Sequence, residues 1–333
     1  MGRTTESPGR LGHPGPRLPG VALMVAGAML AAGPVAAQML PGGRGAEADR
    51  MRAEYMALML TDLGETMASW HLSWVGEPDR PLADHYTENA LLLQPAAPAL
   101  RGREQIDLMA QDIVPATGYA NASMQDFIGT QGMGVLFGDY VLRPLRSGHP
   151  TSLGHHLTVL TQDGDDWHIR AQMFFPDSLH MAYPGTAFID PIAPLSLFPT
   201  QRSRRARNVG RSADLRIENY KQASSALLEF RRLWSEGNVL ALGSIFEQDA
   251  TLLLPGSDPV YGVEAVTGRL ADALPTYGAI QTVDLDFVRR ERLAFLAGRY
   301  FLEMPGGPPK TGYYAIVLNT DGDLWTIRTL ILT

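Results

Sequence analysis

One segment of this chain is written twice, and that constrains the fold more than any other feature. "ENALLLQPAAPALRGREQI" at 88–106 and "QDATLLLPGSDPVYGVEAV" at 248–266 align without a gap. Ala90, Leu92, Pro95, Gly102 and Glu104 meet Ala250, Leu252, Pro255, Gly262 and Glu264, each pair 160 residues apart. The register extends to Trp74 with Trp234, Asp126-Phe127 with Asp286-Phe287, and Tyr140 with Tyr300. It then shortens by two residues, so that "DGDDWHIR" (163–170) meets "DGDLWTIR" (321–328). A length change confined to one hairpin is what a duplicated domain tolerates. The period far exceeds that of solenoid repeats, so the chain reads as a tandem domain pair. Its 333 residues suit two domains of roughly 150 each.

Both copies carry the same element signals. A long helix opens each one. Its apolar stripe is Leu60, Leu63, Met67, Trp70 and Trp74 in the first copy and Tyr220, Ala223, Leu227, Phe230 and Trp234 in the second. A short helix is expected near 79–86 and 239–246, then an apolar strand at 90–94 and 250–254 closed by proline. A third helix starts after "RGRE" and "YGVE" and ends at Pro115 and Pro275. Strands follow at roughly 120–131, 133–144, 152–162 and 166–175, with Asp-Gly turns at 163–164 and 321–322. Helices first and antiparallel strands after predict an α+β domain with helices on one face of a curved sheet.

The expected organisation is a signal peptide (1–37), a flexible stretch (38–49), a first domain (50–175), a linker (176–211) and a second domain (212–333). Arg3, Arg10 and Arg17 precede the apolar run "VALMVAGAMLAA" at 21–32, and Val35-Ala36-Ala37 offers small residues for cleavage. The run is short of the about 20 apolar residues of a membrane span. The expectation is therefore an exported protein, periplasmic or extracellular, with an uncleaved anchor as the alternative. The linker holds Pro176, Pro184, Pro191, Pro194 and Pro199, then "QRSRRARNVGR", and reads as a solvated connector.

Composition removes several function classes. The net charge is −7, which disfavours a nucleic-acid partner. There is no cysteine, so disulfides, thiolate catalysis and cysteine metal sites are excluded. His71, His155, His156 and His168 have no HxH or HExxH spacing, so no metal and no cofactor is expected. Met51, Met56, Met59 and Met67 stand at helical spacing and read as core filler.

"WSEGNVLALGSIFEQDATLLLPG" (234–256) and, more loosely, "WVGEPDRPLADHYTENALLLQP" (74–95) resemble the helix–helix–strand segment of the nuclear transport factor 2-like superfamily, which includes SnoaL-like and ketosteroid isomerase-like proteins. The resemblance implies two tandem cystatin-like cone domains. In each, about three helices pack on a curved, mainly antiparallel sheet around a largely apolar pocket. It also implies that the two copies pair through their sheets as an intramolecular pseudo-dimer, or that the chain forms a homodimer. In the isomerase branch an aspartate base and a helix tyrosine do the chemistry. Those positions hold Gln94 and Trp70 in the first copy, Leu254 and Phe230 in the second. The resemblance therefore implies no isomerase machinery.

Among the remaining polar residues, "GHHLTVL" (154–160) places His155 and His156 on one strand, where adjacent side chains face opposite ways. One of them can face the pocket as a general acid or base. Tyr313 and Tyr314 take their places in the second copy. Gln94, Tyr140 and Gln172 can orient a ligand in the first copy, whereas Leu254, Tyr300 and Leu330 make the second pocket greasier or filled. His71 is matched by Arg231, which reads as an exposed position. The leading expectation is an exported protein that binds a small apolar molecule in the first-domain pocket. The alternatives are a SnoaL-like isomerase, dehydratase or cyclase using a pocket histidine, and a non-catalytic protein-interaction module.

Overall fold

The computed structural model describes residues 45–75, 80–94, 97–145, 151–177, 195, 209–254, 257–322 and 324–333. The expected signal peptide, residues 38–44, nearly all of the linker, and Pro95 and Pro255 lie outside the described residues. The chain folds as α+β with two domains. The first runs α1 (Gly45–Trp74), β1 (Tyr86–Leu93), β2 (Leu100–Arg101), α2 (Arg103–Ile113), β3 (Thr117–Ala122), β4 (Asp126–Thr130), β5 (Met133–Pro144), β6 (Ser152–Asp163) and β7 (Asp166–Pro176). The second runs α3 (Val209–Ser235), α4 (Val239–Ser244), β8 (Phe246–Leu253), β9 (Val260–Tyr261), α5 (Val263–Ala273), β10 (Ile280–Arg290), β11 (Leu293–Leu302), β12 (Lys310–Thr320) and β13 (Trp325–Leu332). The short helix expected near 79–86 is a 3-10 turn, Leu82–His85, and the strand expected over 120–131 is split into β3 and β4.

The sheets share one topology. The first is ordered β2-β1-β7-β6-β5-β3, with β4 also on β5; the second is β10-β11-β12-β13-β8-β9. Each is antiparallel except where its first strand lies parallel to its last, β1 on β7 and β8 on β13. The repeated glycine before α2 and α5 has a backbone reason. Gly102 and Gly262 sit at φ 92° and 86°, where an L side chain is strained, and each N–H reaches back 2.8 Å to Ala90 O or Ala250 O.

Each sheet is covered on both faces. Trp70 and Trp74 of α1 pack with Leu92, Leu136 and Leu160 of the first sheet, and Phe230 and Trp234 of α3 with Leu252, Leu296 and Leu318 of the second. The opposite faces meet each other in a third core that joins Leu91, Phe137, Val159 and Met173 to Phe295, Tyr313, Val317 and Ile331. This explains why "LAFLA" (293–297) and "YYAIVL" (313–318) are continuous apolar runs instead of alternating ones: both faces of these two stretches are buried. The sheet face that an interaction module would offer is buried against the other copy.

One pair of polar contacts across this core is reciprocal. Arg170 on β7 donates to Asp286 of the second domain at 2.6 Å, and Arg328 on β13 donates to Asp126 of the first at 2.8 Å. Arg170 and Arg328 are repeat equivalents, as are Asp126 and Asp286. Each arginine also donates to the same backbone carbonyl of its own domain, Asn89 O at 2.8 Å and Asp249 O at 2.7 Å. Residue i of one copy meeting residue j of the other, and j meeting i, is the signature of two-fold packing. The two copies are packed as a symmetric dimer is packed, within one chain. No helix among the described residues is long and apolar enough to cross a membrane.

Candidate functional site

The sequence assigns polar residues to the first cone, and there they satisfy one another. Trp70 Nε1 donates to Tyr86 OH (3.1 Å), Tyr86 OH to Gln172 Oε1 (2.5 Å), and Gln172 Nε2 to Thr158 Oγ1 (3.1 Å). His156 closes the chain, its Nδ1 3.1 Å from Thr158 Oγ1 and its Nε2 3.0 Å from Ser123 O. Because a carbonyl only accepts, Nε2 carries the proton and Nδ1 accepts from the threonine hydroxyl. Every link then points the same way, and each of these side chains is engaged by its neighbour. Burial is the main cause that lowers the His156 pKa to about 4, so the ring is neutral.

His71, expected to be exposed, is instead buried against this wall, and its Nε2 accepts the Ala122 N–H at 2.6 Å. An arginine counterpart does not imply exposure here, because Arg231 faces inward too. His71 is likewise lowered to about 4, by burial first and His156 second.

The other histidine points the opposite way. His155 stacks on Phe137, whose side chain belongs to the core between the sheets, and contacts Asp139 at 2.6 Å and Asp177 at 3.5 Å. A pocket acid or base needs an inward imidazole with a carboxylate or phenol in reach. His156 is inward without either, and His155 has carboxylates without facing the cone. Tyr140 is buried against Phe174, with its hydroxyl 3.0 Å from Ser152 Oγ. Gln94 lies half-buried past the end of β1, outside the network.

The second cone differs. A cleft of about 460 Å³ opens between α3 and β10, with Leu195, Tyr220, Leu227, Leu228, Arg231 and Asp284 on its walls. Asp284 accepts both phenols, one carboxylate oxygen taking the Tyr220 hydroxyl and the other the Tyr314 hydroxyl. Burial first, and then the Asp284 charge, raise both tyrosine pKa values, so both phenols stay protonated and donate.

Local structure explains how these residues meet. Asp284 pairs in register with Gly298, and Gly298 with Tyr314, so the tyrosine must cross a strand to reach the carboxylate. A Cβ on Gly298 would sit 2.6 Å from Tyr314 Cε1 and 2.2 Å from Val283 O, so only glycine leaves the ring that path. A register irregularity between Asp284 and Asp286 then turns the two aspartates to different work. Asp284 goes to the cleft and Asp286 to the arginine between the sheets.

Of the residues expected in the second pocket, Tyr314 faces the cone, and Phe230 and Leu254 are part of the packed core behind the cleft. Tyr313 faces away, into the core between the sheets, where its hydroxyl accepts from Ala99 N (2.8 Å) and donates to Ala97 O (3.2 Å). The second pocket, expected to be greasier or filled, holds an open cleft with Leu195, Leu227 and Leu228 among its walls. The first-copy equivalents of Tyr220, Arg231, Asp284 and Tyr314 are Leu60, His71, Met124 and His156. They close the first cone with apolar side chains and hydrogen-bonded rings.

Tyr220 was legible only as a stripe member, and Asp284 only as a polar residue in phase with Thr282 on a strand. Among the described residues, no group of three or more His, Asp or Glu is placed to hold a metal ion.

The fold and cleft define a tandem α+β cone protein with a polar-walled cleft in its second domain. No protein-family model and no curated protein matches the chain in sequence. Similar solved structures include an NTF-2-like protein of unknown function from Shewanella oneidensis (16% identity, 34% of this chain and 97% of that one, TM-score 0.31). Another is a ketosteroid isomerase-like protein from Erwinia carotovora atroseptica (14% identity, 34% and 94%, TM-score 0.30). Their names are those of the superfamily that the two copies resemble, and they assign no role to any residue here.

Proposed function

We propose that this is an exported binding protein for a small, largely apolar molecule, held in the second-domain cleft. The observation that carries this reading is the contrast between the two cones. Equivalent positions hold a closed hydrogen-bonded wall in the first and an open cleft in the second. A concave site with mostly apolar walls and a few convergent polar groups is the general form of a small-molecule site. Tyr220 and Asp284, with Tyr314 hydrogen-bonded to the same carboxylate, give the cleft a fixed polar side, and Leu195, Leu227 and Leu228 supply apolar wall. Asp284 is poorly placed to act as a general base, because both its oxygens already accept hydrogen bonds from the two phenols. The leader at 1–37 is what supports export.

The test is native mass spectrometry of the purified protein, with apolar probes added, beside a Leu227→Trp variant that fills the cleft. Retained mass in the wild type that disappears in the variant is the expected result. Equal retention by both would place the ligand elsewhere, and no retention by the wild type would sink the reading.

A further inference from the structure

We propose that the second-domain cleft is selective for apolar monocarboxylic acids, with Arg231 as the carboxylate anchor; this rests on reading the cleft as a ligand site. Arg231 projects from α3 beside Leu227 and Leu228. Its contacts are two long hydrogen bonds, Nε to Ile280 O at 3.4 Å and Nη1 to Thr282 Oγ1 at 3.5 Å. A guanidinium carries more N–H donors than these two bonds use.

The nearest carboxylate of the cleft does not serve it. Asp284 is engaged by the two tyrosine hydroxyls, and no Asp or Glu among the described residues forms an ion pair with Arg231. The other arginines near the molecule's centre do have such partners. Arg170 and Arg328 are each held by an aspartate of the opposite domain. Arg231 is therefore a half-buried cation beside an apolar wall, in a cleft whose carboxylate is already engaged by two phenols.

Lys221 adds a second positive charge on the same wall. In a chain whose net charge is −7, a cleft that gathers two cations around one already satisfied carboxylate favours an anion. The planar fork of Arg231 matches a carboxylate in bidentate fashion, while the ligand's apolar body lies against Leu195, Leu227 and Leu228. One half-buried arginine, with only the exposed Lys221 beside it, suits one negative charge better than a phosphate dianion, which needs more donors to offset its desolvation. His71 takes this position in the first cone and spends its ring nitrogen on a backbone amide, so that cone offers no equivalent anchor.

The experiment compares matched probes by isothermal titration at pH 7.5: decanoic and 2-naphthoic acid against decanol and 2-naphthol. Each is titrated into the wild type, Arg231→Gln, Arg231→Lys and Leu227→Trp. The expected result is at least one acid binding tenfold or more tighter than its alcohol. Arg231→Gln should abolish that preference without weakening the alcohol, and Arg231→Lys should keep part of it. Equal affinity for acids and alcohols, with Leu227→Trp blocking both, would overturn the carboxylate anchor and leave the cleft reading intact. Binding untouched by Leu227→Trp, or no binding of any probe, would overturn both. If Arg231→Gln fails to fold, the wild-type comparison of acid with alcohol decides the question alone.

Discussion

The reciprocal arginine–aspartate contacts between the sheets are equivalent in sequence and unequal in environment, and that inequality can be measured. Asp286 has a side chain 1% exposed, and it faces Arg170, itself 9% exposed. Its nearest other cation, Arg101, is 3.8 Å away. Asp126 is 26% exposed, and its partner Arg328 also holds Asp249. Asp286→Ala leaves Arg170 buried beside an empty site, with only its bond to the Asn89 carbonyl. Removing one partner of a buried pair costs about 3–5 kcal/mol. Asp126→Ala leaves Arg328 with Asp249 and lets water reach the vacated place, so its cost should be about 1 kcal/mol. Urea unfolding followed by tryptophan fluorescence measures both. The core shared by the two sheets should make the wild type unfold in one transition. The double variant Arg170→Met/Asp286→Leu should recover most of the loss, since well-packed apolar replacements of a buried pair are often neutral. Equal costs for Asp286→Ala and Asp126→Ala would refute the argument from burial. So would two separate unfolding transitions in the wild type, which would mean that the sheets do not stabilise each other.

Two further outcomes follow from the cones. Gly298→Ala places a methyl group against Val283 O and the Tyr314 ring, and should cost about 2 kcal/mol in thermal unfolding; Gly306→Ala, with open space around it but φ 76°, should cost about 1 kcal/mol. His71 and His156 both titrate near 4 in the folded chain, against 6.5 when unfolded. A folded pKa below the unfolded one means that the unfolded state binds protons first as pH falls. Their contribution is therefore complete above 6.5 and is lost progressively between 6.5 and 4, on the order of 1–3 kcal/mol each. Denaturation midpoints across that window should fall, and His156→Gln should flatten the profile; an unchanged slope would count against a neutral buried His156.

How much of this was legible in the sequence depends on which residues are asked. The duplication, the helix stripes ending at Trp74 and Trp234, the α+β order of elements and the repeated Gly102 and Gly262 are all set by local chemistry, so pattern reading reaches them. The pairing of Arg170 with Asp286 is of another kind. Both matched pairs, Arg170 with Arg328 and Asp126 with Asp286, are visible in the alignment. That each arginine reaches the other copy's aspartate follows only from two-fold packing in space. Strand parity shows that Tyr313 and Tyr314 face opposite sides, but not which side is the cone. Parity finds the buried face only when the other face is polar, and here both are covered.

The location of the cleft was least legible of all. Counting polar residues favours the first copy, with Gln172, Tyr140 and two histidines. Yet polar groups in a small cone are drawn to each other before any ligand, because an unpaired buried donor costs more than its bond returns. Tyr86, read in the sequence only as the repeat partner of Phe246, links Trp70 to Gln172 and completes that set. In the second copy Leu330 replaces Gln172, and the apolar core cannot absorb Arg231. The greasier of two duplicated pockets is thus the one whose few charged groups stay available. The exchange of polar wall for apolar core in the second cone is what leaves Arg231 with donors to spare for a ligand.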